Sequence, residues 1–169
     1  ATGDAVIFSG FPISNTGTWS GMGVGYLAEG GYGTQRGLVS FDTASIPSSA
    51  VVTTATLWIE AYAYQGTVNL DMLVSTYRVT APWLENSVTW QSHGSAFSVA
   101  YGSTMVGQYV GYVSFDVTQL VQSWVNGTIP NYGIILRGET ESGTTRGKIF
   151  YTREAAVGDR PVLSVSYRY

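Results

Sequence analysis

VVTTATLWIEAYAYQ, residues Val51–Gln65, decides the fold class. Ala55, Leu57, Ile59 and Ala61 alternate with Thr54, Thr56, Trp58 and Glu60. A period of two puts alternate side chains on opposite faces of a strand, here one buried and one mixed. The same alternation recurs on both sides. Upstream it predicts strands at Asp4–Phe11, at the glycine-rich Gly21–Glu29 and at Thr34–Phe41. Phe11-Pro12, Asn15–Gly17, Gly30–Gly33 and Ile46-Pro47 interrupt them. Downstream it predicts Thr67–Val79, Phe97–Val106, Tyr109–Phe115, Tyr132–Thr140, Gly147–Glu154 and Pro161–Tyr169. Gln65-Gly66 alone separates Val51–Gln65 from Thr67–Val79, which reads as a hairpin. The glycines of Gly21–Glu29 make it read as a weak or bulged strand.

One segment has helical spacing. Val117, Leu120, Val121 and Trp124 fall at i, i+3, i+4 and i+7, one apolar face of a helix. Asp116 reads as its N-cap, Gln119 as the partner in a capping box, and Asn126-Gly127 as its stop. A helix over Asp116–Asn126 is expected. No β–α–β repeat occurs, so a parallel sheet is not expected. The reading is one all-β domain over residues 1–169, an antiparallel sandwich of jelly-roll type with one short helix.

Composition narrows the function. Charged residues are 11% of the 169, the net charge is −3, and the chain holds one lysine, Lys148. Typical domains are about a quarter charged. A surface of Ser, Thr, Gly, Asn, Gln and Tyr repels its own kind weakly, which suits packing against itself or against neutral polymer. No basic stripe or tail offers itself to nucleic acid. No apolar run reaches the roughly 20 residues of a membrane-spanning helix. Cysteine is absent, which removes disulfides, iron–sulfur clusters and thiolate zinc sites. A small residue at Ala1 fits a secretory cut, and strands held in a sheet are expected at both ends.

Catalytic motifs are missing. There is no G-x-S-x-G elbow, P-loop or dinucleotide fingerprint. The single histidine, His93, lies in the polar stretch Gln91–Ser95 and reads as a surface residue. The eleven acids are scattered. Asp116 is assigned to the helix cap, Asp42 to a strand end, and Glu154 to an ion pair with Arg153. No cofactor is expected. No D-x-D-x-D-G calcium loop is present, although a jelly roll can hold calcium through backbone carbonyls, to which sequence is blind.

Aromatic rings are abundant: twelve Tyr, five Trp and six Phe. Such rings fill cores, stack on sugars and build interfaces. Trp58, Trp83, Trp90 and Trp124 are assigned to the core because they lie in or beside regular elements. Trp19 and Tyr32 lie in Gly/Ser/Thr loops and are the candidates for exposure. Tyr62 and Tyr64 share a face with Trp58, a platform if that face is open and core if a second sheet covers it. Arg137, Arg146, Lys148 and Arg153 are candidates for a local basic patch. Asn126-Gly127-Thr128 matches the N-glycosylation acceptor.

Four stretches then resemble the DNRLRE domain family. They are Phe41-Asp42-Thr43-Ala44-Ser45-Ile46-Pro47 with Val51-Val52 and Ala55-Thr56-Leu57; Tyr77-Arg78-Val79-Thr80 with Trp83, Glu85 and Val88-Thr89-Trp90; Phe115-Asp116-Val117-Thr118 through Trp124, Gly127 and Tyr132-Gly133-Ile134; and Arg153-Glu154 with Arg160-Pro161 and Leu163. They come in the family's order, with Thr152 where the family has serine. The resemblance implies a β-sandwich of prokaryotic secreted and surface proteins. Its relatives include a carbohydrate-binding module family known for alginate and archaeal disaggregatase domains. It implies no catalytic set.

The expected function is a non-catalytic, extracellular or cell-surface structural protein that assembles with copies of itself into a filament or matrix. Val6 and Phe8 near one end, or Val165 and Tyr167 near the other, would supply the strands that pair across subunits. The alternative is a carbohydrate-binding module for an extracellular polysaccharide, with Trp19, Tyr32, Tyr62, Tyr64, Arg137, Arg146 and Lys148 as contacts. Alginate is polyanionic, and an acidic, lysine-poor chain is a poor match for it.

Overall fold

Val51–Gln65 is one continuous strand in the computed structural model, which describes residues 1–108 and 110–169. Among the described residues it is β4 of ten strands: β1 (Gly3–Phe8), β2 (Gly21–Leu27), β3 (Gly33–Ser40), β4, β5 (Met72–Val79), β6 (Phe97–Val106), β7 (Gly111–Asp116), β8 (Ile134–Gly138), β9 (Arg146–Tyr151) and β10 (Val162–Arg168). Two short helices are α1 (Trp90–His93) and α2 (Thr118–Val125). Every strand pair is antiparallel, in the order β10-β4-β9-β2-β3-β8-β5-β6, with β1 added to β3 and β7 to β4. The sheet folds back on itself into a nearly closed sandwich. It turns where β2, paired with β3 only at Gly25–Leu27, leaves to join β9. Near the other side, Thr104 Oγ1 donates to Ser114 O at 2.6 Å and ties β6 to β7.

The alternation in β4 explains its burial. Ala55, Leu57, Ile59 and Ala61 point into the main core with Val24, Val74, Leu136, Phe115 and Phe150. Burying side chains such as Leu57 and Ile59 contributes about 1.5–3 kcal/mol each. The opposite face is open. Trp58 lies across from Ser114 and Val162 and is 41% exposed. The assignment of Trp58 to the core is therefore corrected: no layer covers that side of β4.

The hairpin expected at Gln65-Gly66 does not form. β5 begins at Met72 and pairs with β6 and β8. Both edges of β4 are already taken, by β10 and then β9 on one side and by β7 on the other. The segment after Gly66 must therefore cross to the other layer.

The helix is shorter than its pattern suggested. Asp116 still belongs to β7, paired with Thr56, so α2 starts at Thr118. Asp116 Oδ1 accepts from Thr118 N at 2.9 Å and Oγ1 at 2.6 Å, and Gln119 takes no part in a capping box. These two bonds hold the Asp116 carboxyl below its ordinary pKa. Leu120, Val121, Trp124 and Val125 are buried. Gln122 pins the helix to β4 by accepting from Val52 N at 2.7 Å and donating to Ala50 O at 3.2 Å. Gly127, at φ 71°, makes the expected left-handed stop.

A second, smaller core lies on the outer face of β1, β3 and β8. Ala5, Ile7, Leu38 and Ile135 are roofed there by the segment 80–96, through Val88, Trp83 and Trp90. Trp83 Nε1 donates to Tyr132 O at 2.7 Å. α1 interrupts this roof, opened by a capping box in which Thr89 Oγ1 accepts from Ser92 N and Ser92 Oγ accepts from Thr89 N. His93 is drawn under the same roof. It is 7% exposed, with Nδ1 2.9 Å from Ser92 Oγ and Nε2 3.3 Å from Ala81 O. Its reading as a surface residue is corrected, because the apolar anchors around it carry the polar stretch inward. Tyr109, expected at the head of β7, lies outside the described residues.

Candidate functional site

β2 alternates Gly21, Gly23 and Gly25 with Met22 and Val24. The two apolar residues are fully buried, so Gly21 and Gly23 share the other face. That face has no side chains of its own. It forms the floor of a cleft of about 560 Å³. Larger residues would fill it. A Cβ on Gly23 would overlap the Gln35 carboxamide, and one on Gly21 the Tyr62 hydroxyl.

Aromatic rings form the wall. The segment before β2 is tied to β1 by Thr16, whose Oγ1 donates to Val6 O at 2.6 Å and accepts from Val6 N at 3.0 Å. Trp19 sits beyond it, with its carbonyl held by Thr152 Oγ1 at 2.6 Å. Its ring lies 5.7 Å from Phe8, and the ring remains 46% exposed. Tyr32 approaches from the Gly30–Gly33 turn and meets Phe8 edge-on at 5.1 Å and Phe11 at 5.0 Å. Gly33, at φ 71°, lets that turn close against Ser9. Phe8, Trp19 and Tyr32 also line a neighbouring hollow of about 270 Å³. The three rings thus line both depressions, with Phe8 buried behind Trp19 and Tyr32.

The opposite wall is polar but uncharged. Gln35 and Gln65 form a reciprocal carboxamide pair, with N–O distances of 3.0 and 3.3 Å. Tyr62 stacks on Tyr151 at 4.1 Å. Burial, and then the neighbouring Tyr151, push the Tyr62 hydroxyl above its ordinary pKa, so it stays a neutral donor and acceptor. Thr18 and Ser20 add hydroxyls at the rim. Among the described residues no carboxylate, histidine, lysine or arginine lines the cleft. It therefore lacks the paired carboxyl groups that glycoside hydrolysis requires. Ring faces beside amides and hydroxyls are what a sugar offers partners to: C–H faces stack on aromatics, and hydroxyls bond to neutral polar groups.

Residues 1–167 match carbohydrate-binding module family 96. The chain belongs to that family. No curated protein matches it. The DNRLRE name rests on the sequence motifs alone, while kinship with a carbohydrate-binding module is shown. A family 96 module is by description a carbohydrate-binding module.

The fold brings three of the seven candidate contacts of this family 96 module, Trp19, Tyr32 and Tyr62, to the one cleft. Tyr64 is exposed at the far end of β4, opposite Lys148. The cations go elsewhere, each with its own partners. Arg137 shares Glu141 with Arg36 and lies over Phe97 at 4.5 Å. Arg146 is 3.5 Å from Glu139 and donates to Asp71 O. Lys148 is buried, with Nζ 2.6 Å from Asn69 Oδ1 and 2.7 Å from Gly107 O, and burial lowers its pKa. Arg153 lies 3.2 Å from Glu154, the ion pair expected of these neighbours, and 3.5 Å from Glu85.

Val6 and Phe8 are in the main core, paired in β1 with Gly37 and Gln35. Val165 is half-buried against that core, and Tyr167 is exposed on β10. Asn126 is exposed just past α2, its carboxamide folded onto Thr128. Sequence reasoning missed Gln35 and Gln65. The signal for Gln35 was a polar residue in phase with the inward positions Gly37 and Val39. Gln65 was hidden by being read as a turn residue. No helix among the described residues is long and apolar enough to cross a membrane.

Proposed function

We propose that this domain is a non-catalytic module that binds a neutral extracellular polysaccharide in the cleft between Trp19, Tyr32 and Tyr62. The observation that carries the reading is the lining itself: aromatic rings facing a carboxamide pair, with no charge. A uronate polymer such as alginate would bring a carboxylate on every sugar into a site that offers no cation to meet it. Two neighbouring depressions that share Phe8, Trp19 and Tyr32 favour a chain of several sugars over a single unit. Affinity electrophoresis against neutral glucans, mannans, xylans and galactans, with alginate and pectate beside them, tests this. Retardation by a neutral polymer, lost in Trp19→Ala, is expected. Retardation by alginate alone, or by no polymer, would overturn it.

Self-assembly is the second reading, and one surface favours it. On the open face of β4, Trp58, Val162 and Tyr112 are exposed on neighbouring strands. Sedimentation at high concentration tests it: oligomers dissolved by Trp58→Ser support assembly, and a monomer at all concentrations removes it.

A further inference from the structure

Outside the lining of the glycine-floored cleft, three stretches of chain converge on one point. Asp4 on β1, Glu85 in the roof segment and Glu154 after β9 each bring a carboxylate oxygen within 4.8 Å of the other two. Asp4 is almost wholly buried, at 1% exposure. One of its oxygens, Oδ2, accepts from Arg153 N at 2.7 Å. The other, Oδ1, is buried with no hydrogen-bond partner. An ionised carboxylate placed so is costly unless something positive meets it.

We propose that Asp4, Glu85 and Glu154 bind a calcium ion that staples β1 to the roof segment and to the turn after β9. Calcium takes oxygen ligands at about 2.3–2.6 Å, so two oxygens on opposite sides of one ion lie roughly 4.8 Å apart. The three carboxylates fall inside that limit. All donors are hard oxygens, with no sulfur or imidazole to favour zinc or copper. Magnesium needs a tighter octahedron and gives up its waters reluctantly, so it fits a partly buried protein site less well. Charge agrees. Arg153 is the cation beside the cluster, 3.5 Å from Glu85 and 3.2 Å from Glu154, and three carboxylates against one guanidinium leave two negative charges. The Asp4 backbone N–H already holds Glu85 Oε1 in place at 2.9 Å, so one ligand is positioned before any ion arrives. Burial of Asp4 beside Glu85 and Glu154 crowds negative charge at one point. A divalent ion relieves that crowding, and the alternative that relieves it is a proton shared by Asp4 and Glu154.

The test separates ion from proton and does not involve sugar. The full chain is stripped with EDTA and titrated with calcium in a calorimeter, with magnesium as control. Terbium emission sensitised by the protein's Tyr and Trp residues provides a second readout. Calcium at a hundredfold over its Kd is expected to raise Tm by roughly 5–10 °C. Magnesium should do much less, and terbium should light and be displaced by calcium. Glu154→Gln, at the most exposed of the three positions, should keep the Tm of the stripped protein but lose the calcium response. A wild type whose Tm ignores calcium and which leaves terbium dark would overturn the proposal in favour of the shared proton. So would a Glu154→Gln variant that keeps the full calcium response.

Discussion

Removing the Trp19 ring tests the cleft most directly. Trp19 is 46% exposed, and its other contacts are with Phe8 at 5.7 Å. A tryptophan side chain presents about 150–250 Å², so the free half offers roughly 80–100 Å² to a ligand. At about 25 cal/mol per Å² this is worth about 2 kcal/mol of binding, or roughly 30-fold in Kd. Trp19→Ala should therefore weaken polysaccharide binding about 30-fold by isothermal titration. Its Tm should fall only slightly, since the backbone stays anchored by Thr16 and Thr152. Trp58→Ala is the matched control, because Trp58 is similarly exposed but lies on the open face of β4. Its affinity should equal the wild type's. If both variants bind normally, or both lose binding alike, the argument from the cleft is wrong.

Three further outcomes are expected. Gly23→Ala should displace the Gln35 carboxamide and break its pair with Gln65, lowering affinity at least tenfold on the scale of one lost pair of buried hydrogen bonds while the circular dichroism spectrum stays that of the wild type. Glu141→Gln should cost about 1–2 kcal/mol in urea unfolding at pH 7, allowing for partial solvent screening. Burial alone would raise the Glu141 pKa, but the hydrogen bonds and charges of Arg36 and Arg137 outweigh it and hold it down. The wild type's advantage over Glu141→Gln should therefore be present above the ordinary glutamate pKa and vanish as acid drives pH through the lowered one; an advantage that grows with acid would refute the pairing. His93→Ala should lose stability, because a buried ring bonded to Ser92 and Ala81 is removed. It should leave polysaccharide affinity unchanged, and neither it nor the wild type should release reducing ends.

What could be read in the sequence follows from how local each signal is. β4 was legible to its last residue because alternation needs no partner to be recognised. β6 was legible for the same reason. The β4–β5 hairpin was misread because pairing is decided by which edges are free, and β7, β9 and β10, distant in sequence, had taken both edges of β4. Trp58 and His93 were misplaced for a related reason: burial depends on what lies above a face. The outer face of β1, β3 and β8 received a roof, and the outer face of β4 received none. Trp19 and Tyr32, which line the cleft, stood out in the sequence because large rings in small-residue loops have little local reason to be there. The basic residues looked like a patch because sequence does not show that Glu141, Glu139 and Asn69 occupy them.

β2 is the element whose local preference contradicts its place. Glycine at every second position weakens a strand, by about 0.5–1 kcal/mol each relative to alanine, and the reading of Gly21–Glu29 as a weak or bulged strand followed from that rule. The strand forms regardless because β9 pairs with it along Gly21–Tyr26 and because Met22 and Val24 are fully buried. Packing on one face carries the cost of emptiness on the other. Where local rules fail but the fold holds, function is the usual reason. Here the failure sits under Trp19, between Gln35 and Tyr62, where a side chain at Gly21 or Gly23 would occupy the cleft in which the proposed function seats a sugar. Several glycines elsewhere serve turns, as Gly33 and Gly127 do with positive φ, while others in strands, such as Gly37 against Met22, allow close packing. Gly21 and Gly23 have ordinary backbone angles, so conformation does not require them, and the volume they leave open is the remaining physical reason for them.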